Sequence, residues 1–242
     1  MPQPPSANSP PFTRADFERD RSRLILLNKG GFANGDVYRY PRPDGSWVVK
    51  DFSPCLWIFR ILLTRWMIRR ECRALQRVNG LTGIPADAFQ LDADAFADRD
   101  LGGRSMHEAP KGSLGAPFFR ELERRVHRLH RRGIAHLDLR YRRNILVLDD
   151  GRPGIIDFQS AIALPRLPRG LQRFLRRVDL SGVYKHWCRR APDSLGPRRL
   201  ALLQGGNRLR SWWILKGYRL IGFKKKTWRT YEQKALTRKP TS

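Results

Sequence analysis

The sequence has little cysteine, few acidic residues and no long apolar run. Its three cysteines, Cys55, Cys72 and Cys188, are odd in number and widely spaced, which gives neither a disulfide framework nor a zinc pattern and fits a reducing cytoplasm. The longest apolar stretch, residues 55–64, is interrupted by Arg60 and falls short of the roughly 18 residues that a membrane-spanning helix needs. Residues 1–11 have neither a basic nor an apolar segment, so we expect no signal peptide.

The shortage of acidic residues leaves a large positive charge. There are 48 Lys and Arg against 22 Asp and Glu, which gives a net charge of +26. Such a charge opposes compaction through self-repulsion, so it predicts an anionic partner: nucleic acid, an anionic membrane surface or a phosphorylated substrate. The content of 7 Trp and 12 Phe excludes a disordered chain, and the length allows one domain or two small lobes.

The local patterns predict both strands and helices. Three short β-branched or aromatic runs between residues 23 and 52, separated by two turns, indicate an antiparallel meander. Ser53-Pro54 predicts a helix start that leads to Val78, and Asn79-Gly80 predicts its end. A second helix is predicted over residues 117–132, and a tight hairpin joins two apolar runs across residues 149–153.

The segment from His136 to Asp157 carries the chemistry. It contains His136-Leu137-Asp138, then Asn144 six residues after Asp138, and then Asp157-Phe158-Gln159 beyond the hairpin. Hard oxygen ligands that converge at one end of a hairpin suit Mg²⁺, which takes carboxylates together with substrate phosphates. A further carboxylate beside the metal could orient a hydroxyl and accept its proton.

These residues resemble the catalytic loop and the metal-binding Asp-Phe motif of the protein-kinase-like superfamily. Gln159 in place of Gly and the short tail after it look more like the RIO-type and lipopolysaccharide-core (Kdo-type) small kinases than eukaryotic protein kinases. The resemblance covers roughly residues 23–165. It implies ATP and Mg²⁺ as cofactors, with Asp138 as the catalytic base and Asp157 as a metal ligand, and it makes His136 a scaffold residue.

The resemblance also implies an upstream nucleotide-binding lobe. Gly30, Gly31 and Gly35, followed by Val37, would form a phosphate-covering loop. Lys50 ends a β-run thirteen residues after Val37 and would contact the α- and β-phosphates of ATP. Glu71, in the following helix, would pair with Lys50.

One spacing departs from the family pattern. The Asn that assists the metal usually lies five residues after the catalytic Asp. Here the residue five positions after Asp138 is Arg143, which repels a divalent cation. Either the loop bulges by one residue, so that Asn144 still reaches the metal, or the second metal position is altered. We favour the bulge, since Asn144 leads directly into an apolar run. Arg140 stands where protein kinases have a lysine and could steady the transferring phosphoryl group.

We therefore predict an α+β, protein-kinase-like bilobal fold with an antiparallel-sheet N-lobe and a shortened helical C-lobe. The expected organisation is a flexible tail at 1–20, an N-lobe at 21–100, a C-lobe with the catalytic loop at 101–205 and a basic aromatic segment at 206–242. Adenine is expected to contact the connector near residues 97–102. Only 85 residues follow Asp157 (242 − 157), too few for a full eukaryotic-type C-lobe with a peptide-docking platform.

The predicted function is ATP-dependent phosphorylation of a hydroxyl, with a lipopolysaccharide-core sugar or another anionic membrane-associated acceptor. The alternative is a RIO-like atypical serine/threonine kinase or ATPase acting on RNA- or ribosome-associated targets. Two basic stretches with interleaved aromatic residues, 56–73 and 209–234, suit an anionic bilayer, but they also suit single-stranded nucleic acid or the core of a small helical lobe. The expected location is the cytoplasm, with peripheral attachment at the inner face of the membrane as the second option.

Overall fold

The protein divides into two compact units. The structure is a computed structural model that describes residues 10–31, 35–57 and 64–209, with side chains as far as residue 205. Within this part, unit 1 runs through residue 102 and also contains residues 154–162, whereas unit 2 contains residues 103–153 and continues from residue 163. Unit 1 thus includes one short segment, residues 154–162, from the range predicted as the C-lobe, and this segment carries Asp157.

Unit 1 is built on an antiparallel sheet of five strands in the order β1-β2-β3-β5-β4. Its elements are α1 (Arg14–Arg19), β1 (Ile25–Asn28), β2 (Asp36–Arg42), β3 (Gly45–Asp51), α2 (Arg65–Val78), β4 (Phe89–Gln90) and β5 (Ala95–Arg99), with a 3₁₀ turn at Arg21–Arg23 and another at Phe158–Ser160. The first three strands pair in succession, which confirms the predicted meander. One side of the sheet packs around Trp47, Val49 and Ala97.

The first 20 residues differ from the predicted flexible tail. Phe12 and Phe17 are each 2% exposed and belong to the core on this side of the sheet. Thr13 and Asp16 form a reciprocal capping box that starts α1. Arg14 donates two hydrogen bonds of 3.0 Å to the Asp51 carboxylate. The tail prediction is thus wrong for residues 12–20, because the Thr-x-x-Asp cap starts a helix and the two aromatic rings are buried in the core.

The start of α2 also differs from the prediction. Residues 53 and 54 form a turn, Trp57 is helical, and the helix α2 runs from Arg65. The Asp51 carboxylate accepts hydrogen bonds from the main-chain N–H and the hydroxyl of Ser53, both at 3.0 Å. Ser53 is therefore held in an Asx turn, and the next described helical residue is Trp57. The predicted helical residues 58–63 lie outside the described residues, and the helix ends at Asn79 and Gly80 as predicted.

Unit 2 is mainly helical. Its elements are β6 (Arg104–Ser105), α3 (Ala116–Arg131), β7 (Ile134–Ala135), β8 (Ile145–Val147), α4 (Arg169–Arg190) and α5 (Pro197–Leu209), with 3₁₀ turns at Arg142–Asn144 and Pro192–Ser194. Two further strands, β9 (Pro153–Ile155) and β10 (Ile162–Ala163), lie at the boundaries of the units. β6 pairs with β8 in antiparallel fashion. Phe119 of α3 stacks on Trp187 of α4 at 5.6 Å between ring centroids.

The α+β class and the antiparallel N-terminal sheet agree with the sequence prediction. None of the helices in the described part is both long and apolar enough to cross a membrane. The basic aromatic segment predicted at 206–242 lies outside the described residues from 210 onward.

Candidate active site

Lys50 is the centre of an ion-pair network in unit 1. Its Nζ donates hydrogen bonds to Glu71 Oε1 at 2.6 Å and to Asp157 Oδ1 at 3.0 Å. The Glu71 side chain, 2% exposed, also accepts the main-chain N–H of Phe158 at 3.1 Å. Strand β3, helix α2 and the segment at 157–158 are therefore joined through one buried carboxylate.

The charges in this network favour a protonated Lys50. Burial lowers the pKa of Lys50, but the carboxylates of Asp157 and Glu71 outweigh burial and raise the pKa above its ordinary value. The side chain is 17% exposed and the Asp157 side chain is 34% exposed. A permanent cation beside a more accessible carboxylate is an arrangement that can hold phosphate oxygens and a divalent cation together.

Asp157 is held in an unusual backbone conformation. Its φ of 66° and ψ of 73° lie in the left-handed region, which a non-glycine residue adopts at an energetic cost and which is found mostly at functional positions. The following residue, Phe158, is fully buried, which anchors the backbone directly after Asp157. Its hard carboxylate oxygens fit Mg²⁺, which typically uses one or two protein carboxylates and completes its shell with phosphates and water.

The glycine-rich turn lies next to this network in the sheet. Val37 of β2 is directly opposite Lys50 of β3, and the N–H of Gly30 donates to Asp36 Oδ1 at 2.7 Å. A Cβ at Gly35 would lie 2.7 Å from the main-chain oxygen of Asp51, so only glycine fits there. Residues 32–34, including Phe32, lie outside the described residues. The nucleotide-binding role of Gly30, Gly31, Gly35 and Val37 stays a prediction.

The catalytic-loop residues come together in unit 2. The amide Nδ2 of Asn144 donates to Asp138 Oδ2 at 2.9 Å. Two successive tight turns connect them: the N–H of Tyr141 bonds to the oxygen of Asp138 at 3.2 Å, and the N–H of Asn144 bonds to the oxygen of Tyr141 at 3.1 Å. These turns accommodate the six-residue spacing, and Asn144 is buried while Arg143 is exposed. The metal role of Asn144 stays a prediction.

Asn144 can be tested separately from the rest of the loop. Replacing Asn144 by Ala removes the donor to Asp138. We expect the transfer rate to fall about tenfold, because about that factor corresponds to the free energy of one hydrogen bond to a charged group. If Asn144 also assists the metal, the Mg²⁺ concentration needed for half-maximal rate rises. An Asn144→Ala protein with full activity and unchanged Mg²⁺ dependence would refute the bulge interpretation.

Asp179 of α4 anchors the start of this loop, and sequence reasoning missed it. Its carboxylate, 1% exposed, accepts the main-chain N–H groups of His136 at 2.8 Å and Leu137 at 2.7 Å. Nε2 of His130 lies 2.9 Å from the same carboxylate. Leu137 has a φ of 66°, so the two main-chain hydrogen bonds stabilise a strained residue directly before Asp138.

Further residues of α4 support the rest of the loop. Nε2 of His186 donates to the main-chain oxygen of Leu139 at 3.1 Å, since a carbonyl can only accept, and burial lowers the pKa of His186 to about 3. A Cβ at Gly182 would lie 2.9 Å from the carbonyl carbon of Leu139. The absence of a side chain at this position is therefore what lets the helix approach the loop so closely.

Arg140 is engaged with the same helix. Its Nη1 donates to Ser181 Oγ at 3.0 Å, and its main-chain oxygen accepts Nζ of Lys185 at 3.0 Å. The predicted role of Arg140 toward a phosphoryl group stays a prediction. The only sequence signal for this support is a lone acid, Asp179, with Ser181 and Gly182 in an otherwise very basic helical stretch.

Comparisons with known proteins agree with the fold. No family model matches the sequence, and no curated protein matches it. Among solved structures, the chain is similar to the Rio2 kinase of Chaetomium thermophilum in a complex with ADP/Mg²⁺ and phosphoaspartate, with 15% sequence identity and a TM-score of 0.54. The match covers 73% of this chain and 59% of that kinase. The protein thus has a protein-kinase-like fold and spans somewhat more than half the length of this structural neighbour.

Proposed function

We propose that the protein is a kinase that transfers the γ-phosphate of ATP to a hydroxyl group. The observation that carries this proposal is the network of Lys50, Glu71 and Asp157, in which a buried acid holds a lysine beside a more exposed carboxylate. A nucleoside triphosphate needs a cation for its phosphates and an oxygen ligand for its metal ion. Lys50 offers the first and the Asp157 carboxylate the second.

The donor side of the reaction is assigned to unit 1. Lys50, held by Glu71, binds the α- and β-phosphates, and the turn from Gly30 to Gly35 covers them. Asp157 would hold Mg²⁺, which supplies neutralisation of phosphate charge. The fixed positions of these groups mean that little reorganisation is needed when the phosphoryl group moves.

The acceptor side is assigned to the catalytic loop. Asp138 orients the acceptor hydroxyl and takes its proton, while Asn144 holds the Asp138 carboxylate in place through the 2.9 Å hydrogen bond. Arg140 steadies the transferring phosphoryl group. The support from Asp179 keeps this loop in one conformation, which matters because phosphoryl transfer depends mainly on positioning.

For the acceptor, we propose a lipopolysaccharide-core sugar or another anionic membrane-associated molecule. Three exposed apolar side chains of unit 1 support this choice: Trp57 is 67% exposed, Leu56 51% and Trp66 56%. On α2, Trp66 continues into an exposed basic face formed by Arg69, Arg73 and Arg77. Aromatic and aliphatic groups beside arginines are typical of surfaces that bind an anionic bilayer from a cytoplasmic location.

The second candidate is a RIO-like protein kinase or ATPase that acts on RNA- or ribosome-associated targets. The similarity to the Rio2 kinase favours it, and the net charge of +26 suits nucleic acid as well as a bilayer. Because that neighbour contains a phosphoaspartate, this candidate predicts ATP hydrolysis and a hydroxylamine-labile label on the protein itself.

Labelled ATP tests the proposal. The protein is incubated with γ-labelled ATP and Mg²⁺ together with a lipopolysaccharide or membrane extract, a protein fraction or an RNA-associated fraction. We expect the label in the lipopolysaccharide or membrane fraction, and we expect Asp138→Asn to reduce it about 100-fold, as removal of a general base does. Label only in protein would support the second candidate. If ATP does not bind and no fraction is labelled, the kinase proposal is wrong.

A further inference from the structure

The extra residue of the catalytic loop produces an exposed, positively charged turn. The first of the two tight turns closes between Asp138 and Tyr141, and the second closes between Tyr141 and Asn144. Arg142 and Arg143 are therefore the corners of the second turn. Both arginines are exposed, whereas Asn144 is buried. The loop thus keeps Asn144 at Asp138 and presents the two arginines at the surface.

The two arginines lie close to the proposed catalytic base. The Asn144 side chain donates to the main-chain oxygen of Asp138 at 3.3 Å as well as to its carboxylate. The two ends of a tight turn lie within about 7 Å of each other at their Cα atoms, and both turns begin or end at residues that are hydrogen-bonded to Asp138. Arg142 and Arg143 therefore belong to the surroundings of the Asp138 carboxylate.

Within the part of the chain that the structure describes, no acidic side chain neutralises these two arginines. Neither Arg142 nor Arg143 forms an ion pair or a side-chain hydrogen bond with a described residue. On α3 of the same unit, by contrast, Arg124 and Arg128 are both paired with Glu121. The charge of the turn is therefore available to a ligand, unlike the charge of those α3 arginines.

Helix α4 adds further positive charge beside the loop. The Nζ of Lys185 donates to the main-chain oxygen of Arg140 at 3.0 Å. Arg190 lies near Arg142, and burial together with the repulsion between these two charges lowers the pKa of Arg190. The Arg190 guanidinium donates to the main-chain oxygens of residues 106, 109 and 110, which fix its position without cancelling its charge. Like charges held close together raise the free energy of the protein, and an anion bound beside them lowers it.

The chemistry of arginine restricts the kind of ligand that fits this turn. A guanidinium group presents its N–H donors in a planar fork that matches a carboxylate or a phosphate, and it repels a divalent cation. The phosphates of ATP are assigned to Lys50 in unit 1, whereas Arg142, Arg143 and Asp138 belong to unit 2. The ligand of the two arginines is therefore the molecule whose hydroxyl Asp138 orients.

We propose that Arg142 and Arg143 bind an anionic group of the acceptor, a phosphate or a carboxylate, and thereby select an acceptor that carries such a group near its reacting hydroxyl. The inference rests on the proposed function, since it assumes that Asp138 takes the proton of that hydroxyl. The two arginines hold the acceptor without entering the chemical step, so they contribute equally to its binding before and during transfer. Their loss therefore weakens acceptor binding and leaves the maximal rate nearly unchanged.

Binding of three hexoses tests this inference. Dissociation constants of the full-length protein are measured for glucuronate, glucose 6-phosphate and glucose, which carry a carboxylate, a phosphate and no charge, at pH 7 with saturating ADP and Mg²⁺. We expect the wild-type protein to bind at least one charged hexose roughly tenfold more tightly than glucose, the value of about one hydrogen bond to a charged group. The hexose that binds more tightly shows whether a carboxylate or a phosphate is preferred.

The double variant Arg142→Gln/Arg143→Gln removes both charges from the turn. We expect its preference for a charged hexose over glucose to fall to about one, with the dissociation constant for ATP within about twofold of wild type. In the assay with labelled ATP, we expect it to need roughly tenfold more acceptor extract for half-maximal rate, with the maximal rate within about twofold. A merely structural role of the turn would lower the maximal rate as well.

Two further variants separate recognition from structure. Arg143→Lys keeps the charge but loses the planar fork, so we expect it to retain part of the preference for a charged hexose. Arg120→Gln changes an exposed arginine of α3 in the same unit, and as the matched control it is expected to keep the wild-type preference.

Each of the other outcomes overturns the acceptor role of the two arginines. These outcomes are equal binding of all three hexoses by the wild-type protein, a preference that survives in the double variant, and an equal loss of preference in Arg120→Gln. A double variant that loses ATP affinity would assign the arginines to the donor nucleotide instead. If ATP does not bind the wild-type protein, the proposed function itself fails, whatever the hexoses do.

Discussion

Replacing Lys50 by Met is expected to abolish detectable transfer and to destabilise unit 1. The variant loses the cation proposed for the α- and β-phosphates, an effect of about 10²–10³-fold when one such charge-stabilising group is removed. It also leaves Glu71, 2% exposed, without its ion-pair partner. Breaking a buried pair from one side costs about 3–5 kcal/mol of unfolding free energy. Denaturant unfolding and transfer assays below the unfolding midpoint measure the two effects separately.

The pH dependence of this variant follows from the same charges. Without Lys50, the buried Glu71 has a higher pKa in the folded than in the unfolded protein, so the folded state binds more protons. Stability then falls as the pH rises through the interval between those two pKa values. We therefore expect the stability difference between Lys50→Met and wild type to be larger at pH 8 than at pH 5.

Lys29 provides a matched control for this substitution. It is an exposed lysine directly after β1, and Lys29→Met removes the same charge without touching Glu71 or Asp157. We expect the control to keep wild-type stability within about 0.5 kcal/mol, as surface substitutions do. If Lys29→Met and Lys50→Met lost the same transfer activity and the same unfolding free energy, the central role of the Lys50 network would be contradicted.

Much of unit 1 could be predicted from sequence because its signals are local. The strands around Val37 and Lys50 alternate and are separated by turns that contain glycine, so β2 and β3 follow from short-range patterns alone. The pairing of Lys50 with Glu71 came from the order of motifs along the chain, and the structure brings these two side chains to 2.6 Å. The helix that begins after Thr13 was not predicted, because its only local signal is a short capping motif next to a Pro-rich segment.

The supports of the site could not be predicted because they depend on contacts across long sequence separations. Asp179 lies 42 residues after Leu137, and nothing near Asp179 in sequence shows that its carboxylate will face two main-chain N–H groups. Arg190 is similar: nothing in its basic helix end shows that its guanidinium will lie near Arg142 of the catalytic loop. Local periodicity specifies elements, whereas polar pairing between distant elements requires the tertiary structure.

Replacing Asp179 by Asn is expected to disable the catalytic loop while leaving nucleotide binding intact. The carboxylate accepts from the main-chain N–H of both His136 and Leu137. An amide has only one acceptor oxygen, so its NH₂ group would face one of these donors. Leaving a buried donor unsatisfied, together with the loss of a charged acceptor, is expected to cost about 3 kcal/mol of unfolding free energy.

The loss of activity should exceed what this destabilisation explains, because Leu137 is strained. Its φ of 66° is held by the hydrogen bond to Asp179, and when that bond is lost the backbone before Asp138 relaxes toward a more favourable conformation. A displacement of about 1 Å at the reacting group costs about 100-fold in rate. We therefore expect transfer by folded Asp179→Asn to fall about 100-fold, with the dissociation constant for ATP within about twofold of wild type, because Lys50, Glu71 and Asp157 belong to unit 1.

The matched control is Asp149→Asn, an exposed aspartate in the turn after β8 of the same unit. It makes the same chemical change at a position without a main-chain donor to satisfy, so we expect wild-type rate and stability. If Asp179→Asn weakened ATP binding and transfer by the same factor, Asp179 would act through global stability. A lower rate at unchanged ATP affinity is the result that identifies it as a positioning residue, since only a displaced catalytic loop separates chemistry from nucleotide binding.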